Sequence, residues 1–215
     1  MGQIFPKWTN KLPTYIAVAT VVAVTAVVGF FWYYGSPRYT DVGYQPTQPV
    51  PFSHKLHAGD LGMDCRYCHN SVELSAHANV PPTQTCMNCH KLILPESDKL
   101  LPVRESWGKK QPIQWVRVHR LPDFAYFNHS AHLNAGVGCF DCHGNIRQME
   151  IVSQAQPLSM GWCLECHRNP DPHLRPREEL TNMEWVPPPD HARFAERIRR
   201  EKNINPPEDC SGCHR

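Results

Sequence analysis

The chain lacks a charge excess of either sign. Its 22 Lys and Arg against 20 Asp and Glu leave a formal +2 over 215 residues. Nucleic-acid binders carry a strong basic excess, and none is present. Glycine is scarce beside proline, 12 against 21. Proline at that density excludes long helices and sheets from most of the chain. No cysteine stands alone: all ten fall into Cys-x-x-Cys pairs, each followed at once by His. A chain this short and proline-rich buries little apolar surface of its own, so something besides side chains must fill its interior.

One stretch departs from that pattern. No charged residue lies between Lys11 and Arg38. Within it, residues 14–34 read as one apolar helix, about 31 Å long at 1.5 Å per residue, which matches a bilayer core. Trp8 and the Phe30-Phe31-Trp32-Tyr33-Tyr34 cluster stand where interfacial aromatics belong. A cleaved signal peptide is the alternative, but the bulky end lacks the small residues a peptidase site needs. Lys7 and Lys11 before the helix, against Arg38 after it, favour residues 1–13 on the cytoplasmic side. Residues 35–51 follow as a linker, proline-punctuated from Asp41 to Val50, expected to lift the domain off the membrane.

The five motifs are Cys65-x-x-Cys68-His69, Cys86-x-x-Cys89-His90, Cys139-x-x-Cys142-His143, Cys163-x-x-Cys166-His167 and Cys210-x-x-Cys213-His214. This is the c-type haem attachment signature. Two thiols on one short turn can form thioethers to the porphyrin, and the adjacent His then ligates iron. A disulfide framework does not explain the spacing. Zinc does not require a His after every second Cys, and a thioredoxin-like motif occurs once. Five covalently bound haems c are therefore expected, at about 36 residues of domain each, crowded in a body with a radius of gyration near 16 Å. The porphyrins would double as the core.

An internal repeat accompanies the motifs. Phe52-Ser-His54-Lys-Leu-His57 precedes the first, and Phe127-Asn-His129-Ser-Ala-His132 the third. Residues 52–91 and 127–168 read as two copies of a two-haem module, joined by a connector, 92–126. Residues 169–215 form a C-terminal segment with the fifth motif.

The repeat resembles class III multihaem cytochromes of the c3 and c7 type. The resemblance implies a mostly irregular and α-helical, haem-packed fold. It further implies that His54 and His129 ligate the haem of their own following motif. His57 and His132 would each cross to another haem; His at i and i+3 are displaced along one helical face, so one turn can bridge two porphyrins. For the remaining axial position, His119 is the first choice, ahead of His77, His173 and His191, with Met149, Met160 and Met183 as competitors. Any one of these His is as readily an ordinary surface residue. Met ligation would raise the potential.

The remaining chemistry is weaker. Trp107, Trp115 and Phe124 could cover haem edges, although core packing is the commoner role. Asp190 is expected to cap a helix with Phe194, Ala195 and Ile198 on one face. Its Arg193, Arg197, Arg199 and Arg200 could meet an acidic partner, against the plainer reading of a solvated face. Five irons need ten ligands and 13 His are present, which favours electron transfer over catalysis within the chain.

At whole-chain scale, the segments GYQPTQPVPFSHKLHAGDLGMDCRYCH, PPTQTCMNCH, RVHRLPDFAYFNHSAH, GCFDCHG, MGWCLECHR and CSGCHR, behind one anchor, are similar to the pentahaem subunits of bacterial alternative complex III. That resemblance implies an electron relay, not itself an enzyme, inside a quinol:electron acceptor oxidoreductase of a respiratory chain. Its partners would be an iron–sulfur protein, polytopic quinol-binding subunits, a monohaem cytochrome c and, in some cases, a terminal oxidase. The location implied is the bacterial cytoplasmic membrane, with the haem domain on the periplasmic side. Two alternatives are an anchored quinol dehydrogenase and a reductase with one open haem.

Overall fold

A computed structural model describes residues 4–214. A 3-10 turn, Lys7–Lys11, leads into α1, Leu12–Tyr34. The helix starts two residues earlier than hydropathy suggested, because Pro13 is well placed in a first turn, where its missing N–H costs nothing. None of its residues is buried. A helix apolar on every side and covered by no protein is long and apolar enough to cross a membrane. The short α2, Pro37–Thr40, follows.

The segment after α2 is not a free tether. Gly43 donates its N–H to the Gln154 carbonyl at 2.8 Å, and Gln154 donates back to Tyr44 at 3.0 Å. The Gln45 amide reaches the Ile151 carbonyl, and both ends of the Gln48 amide pair with the backbone of Val116. Glutamine amides here satisfy backbone groups as a neighbouring strand would, and Val50 is buried at the end of the segment. The linker is thus part of the domain's surface, contrary to its expected role as a spacer.

The remaining elements are short, as the prolines dictate. A π-helical turn spans Lys55–Asp60. Then come α3, Cys65–Cys68; α4, Thr83–His90; α5, Leu101–Lys109; α6, His129–Ala135; α7, Cys139–His143; α8, Met160–Arg168; α9, His191–Glu201; and α10, Cys210–Cys213. Among the described residues there is no strand, only single bridges between Ala125 and His214 and between Val137 and Leu174. In α9 the basic face is solvated: Arg200 pairs with Glu196, Arg197 with Glu201 and Arg199 with Asp171. Trp107 and Phe124 are exposed rather than packed in a core.

The apolar interior is very small. Val50, Ala58, Val103, Leu133, Leu174, Leu180, Met183 and Ala195 are the buried hydrophobics among the described residues, and only Leu174 and Leu180 are large and fully enclosed. A domain of this length normally buries far more. Its side chains do not form a close-packed core by themselves.

Candidate haem-binding site

Each Cys-x-x-Cys pair lies on its own short helix, where one turn presents both thiols together. Three of the helix starts are capped by side chains. Asp64 accepts from the N–H of Arg66 at 2.8 Å, Ser159 from Trp162 at 3.4 Å, and Asp209 from Gly212 at 2.9 Å. Such caps satisfy otherwise orphaned donors. The Arg66 side chain also grips Asp64 and holds its carboxyl down to about 2.

All ten cysteines are free; Cys89 and Cys210 are exposed and the other eight are half-buried. Burial, the largest cause, pushes the thiols of Cys139 and Cys166 up to about 11 and that of Cys142 to about 12. Neutral thiols are poor nucleophiles and metal ligands at physiological pH. Among the described residues, no three His, Cys, Asp or Glu side chains converge into a metal cluster.

The imidazoles are held in one orientation. Nδ1 of His69 donates to the carbonyl of Asn79 at 2.6 Å, His90 to Ile93 at 3.0 Å, His167 to Pro207 at 2.7 Å and His214 to Phe124 at 3.3 Å. The upstream rings behave likewise. His57 donates to Ser53 at 2.9 Å, His129 to Ala76 at 2.9 Å and His132 to Asn128 at 2.8 Å. A carbonyl can only accept, so each Nδ1 carries the proton and each Nε2 keeps its lone pair. This is how a ligating histidine is usually fixed. His54 differs: its Nδ1 is a buried nitrogen with no hydrogen-bond partner. Burial and the neighbouring His69 and His57 lower its pKa to about 4.

Three rings meet a partner at nearly one separation. Centroids of His57 and His90 lie 6.2 Å apart, those of His132 and His167 6.1 Å, and those of His129 and His143 6.5 Å. Two imidazoles bound about 2 Å from one shared metal ion have centroids roughly 6 Å apart. These spacings suit a bis-imidazole iron. Phe52 and Phe127 pack on the rings of their repeats, 4.4 Å from His57 and 4.5 Å from His132.

His119 lies against the third motif: its Nε2 is 3.3 Å from Nδ1 of His143, with ring centroids 4.4 Å apart. With the proton on Nδ1 of His143, that bond takes up the Nε2 lone pair of His119. His214 meets the phenyl ring of Phe124 at 5.5 Å. His173 bonds to Asp141, and His191 to the carbonyl of Leu174. Met183 is buried and Met160 exposed.

The residues fit covalently attached haem: paired thiols, adjacent imidazoles, opposing imidazoles at an iron's span, and an interior with few apolar side chains. Comparison with known proteins agrees. Residues 125–215 match the family of cytochrome c7 and related cytochrome c. The menaquinone reductase multihaem cytochrome c subunit of Nitratidesulfovibrio vulgaris (strain Hildenborough) is 34% identical over 171 residues, spanning 68% of this chain and 78% of that protein. The chain is a multihaem cytochrome c. The family brings covalently bound haem c and membrane-associated electron transfer to this cytochrome, with its irregular, helical, c7-type domain behind one apolar helix.

Sequence reasoning missed the carbonyls that hold the imidazoles. Asn79 and Pro207 stand 10 and 40 residues from the histidines they orient. Asn79 adopts a left-handed conformation at φ 67°, which asparagine tolerates better than most residues.

Proposed function

We propose that the chain binds five haems c and relays electrons within a membrane quinol:electron acceptor oxidoreductase of a respiratory chain. It acts as the electron-transfer subunit, not the catalytic one. The reading is carried by the imidazole pairs at one iron's span in a domain with few buried apolar side chains. Bound haem supplies one-electron exchange at iron. The cysteines anchor it, and His69, His90, His143, His167 and His214 serve as proximal ligands. His54 and His129 serve the first and third sites from the distal side, and His57 and His132 the second and fourth. Backbone carbonyls fix the ligating nitrogen of all of these but His54 and His143.

The relative's name carries a menaquinone reaction in a multisubunit enzyme. We extend that setting to this chain as an alternative complex III-like assembly. In it, polytopic subunits bind quinol, and an iron–sulfur protein and a monohaem cytochrome stand alongside. The apolar helix anchors the chain in the bacterial cytoplasmic membrane with the haem domain outside. A pyridine haemochrome assay with intact mass, on the purified native assembly, tests the reading. Five haems per chain and co-purifying membrane subunits are expected. A colourless polypeptide of bare mass, or an isolated chain that oxidises quinol alone, overturns it.

One observation favours a second reading, a reductase with an open fifth haem: the ring beside His214 is Phe124, not an imidazole. A high-spin signal in electron paramagnetic resonance supports it, and exclusively low-spin signals remove it.

A further inference from the structure

The order of the attachment sites in space differs from their order in sequence. The two modules meet by a reciprocal exchange of backbone bonds. Ser130, next to His129, donates its N–H to the carbonyl of Ser75 at 3.2 Å; Lys55, next to His54, donates to Met149 at 3.0 Å. Ser75 and Met149 each stand seven residues beyond the second cysteine of their motifs, Cys68 and Cys142. The same bond is therefore made twice in opposite senses, the mark of a twofold relation between two copies. It joins the modules through their first motifs. Leu180 and Thr181 reinforce the junction: the Leu180 carbonyl accepts from Cys139, and the Thr181 hydroxyl donates to Asp64 at the start of α3.

In the second module the Phe-x-His-x-x-His turn spans both sites, and in the first its second histidine reaches the second motif. His129 faces His143 while His132 faces His167, and His57 faces His90. Tyr67 of the first motif also bonds to Asn88 of the second. The fifth motif attaches to the fourth: the Pro207 carbonyl holds His167, and Arg168 pairs with Glu208 at 3.4 Å.

We propose that the five sites form one unbranched series in the order second, first, third, fourth, fifth, so that Cys86-x-x-Cys89-His90 and Cys210-x-x-Cys213-His214 are its two ends. One further observation agrees: the exposed cysteines, Cys89 and Cys210, belong to those two motifs. Exchange with partner proteins then takes place at the second and fifth sites, and the first, third and fourth are interior to the series.

The inference rests on the five-haem reading, and one experiment separates the two. Anomalous diffraction at the iron edge, or an electron cryo-microscopy map of the native assembly, locates the irons, with haem content measured on the same preparation. Nearest neighbours are expected between sites two and one, one and three, three and four, and four and five. Five haems with site two nearest to site three, or site five nearest to any but site four, overturn the order while leaving the function standing. Fewer than five haems overturn both.

Discussion

His132 and His167 face each other with ring centroids 6.1 Å apart, although 35 residues separate them in sequence. His57 and His90 repeat the relationship at 6.2 Å. In both modules the second histidine of the turn therefore passes over its nearest motif and meets the next one.

The first prediction follows directly. His57→Ala should remove one low-spin haem, that of the second motif, and His132→Ala that of the fourth, with the neighbouring sites retained. Electron paramagnetic resonance counts the low-spin species. Replacement by Met should keep the haem low-spin and raise its potential, because Met/His ligation favours the reduced iron. An unchanged low-spin count in either Ala variant would remove the crossed scheme.

The His119–His143 contact yields a second. If Nδ1 of His143 donates to Nε2 of His119, His119 is a positioning residue for the third site. An acceptor at Nδ1 makes the imidazole a stronger donor to its metal. His119→Ala should then leave the low-spin count intact and raise the midpoint potential of one haem, read by a spectroelectrochemical titration. Loss of a low-spin haem would instead make His119 an axial ligand.

These two cases show how far the sequence reaches. The motifs, the repeat and the apolar helix are local patterns, readable from spacing and hydropathy. The pairing of His57 with His90 is not, since i and i+3 spacing says only that two ligands diverge. Nor is the seating of His119, four residues before Asp123, whose direction is set by the fold around His143. The docked segment around Gln45 and Gln48 reads as a linker because its partners, Ile151 and Val116, are distant in the chain. Long-range backbone bonds leave no periodic trace.

A third prediction concerns the anchor. The helix α1 buries none of its residues in protein. The chain should resist extraction from membranes by alkaline carbonate and enter solution only with detergent. Release by carbonate alone would show that α1 does not span the bilayer.

The last prediction tests what stabilises the third motif where apolar packing is thin. Arg175 is 5% exposed. It donates to Asp141 at 2.9 Å and to the Asn182 carbonyl at 3.2 Å, and its guanidinium lies 4.7 Å from the Trp185 ring centroid. Asp141 is one of the two residues between Cys139 and Cys142, and its other oxygen takes a bond from His173 at 2.9 Å. The ion pair thus ties the motif to the C-terminal segment. Gly138, just before it, leaves the space that the guanidinium occupies. Removing one member of a buried pair leaves the other charge uncompensated and costs about 3 kcal/mol or more. Arg175→Ala should therefore lower the unfolding midpoint by several degrees, a shift of the size such a loss produces. Arg175→Lys should recover only part of it, because an ammonium cannot make the planar two-sided contact with carboxylate and indole. Haem content should survive in both variants. An unaltered melting curve for the Ala variant would mean that the porphyrins alone hold this region together.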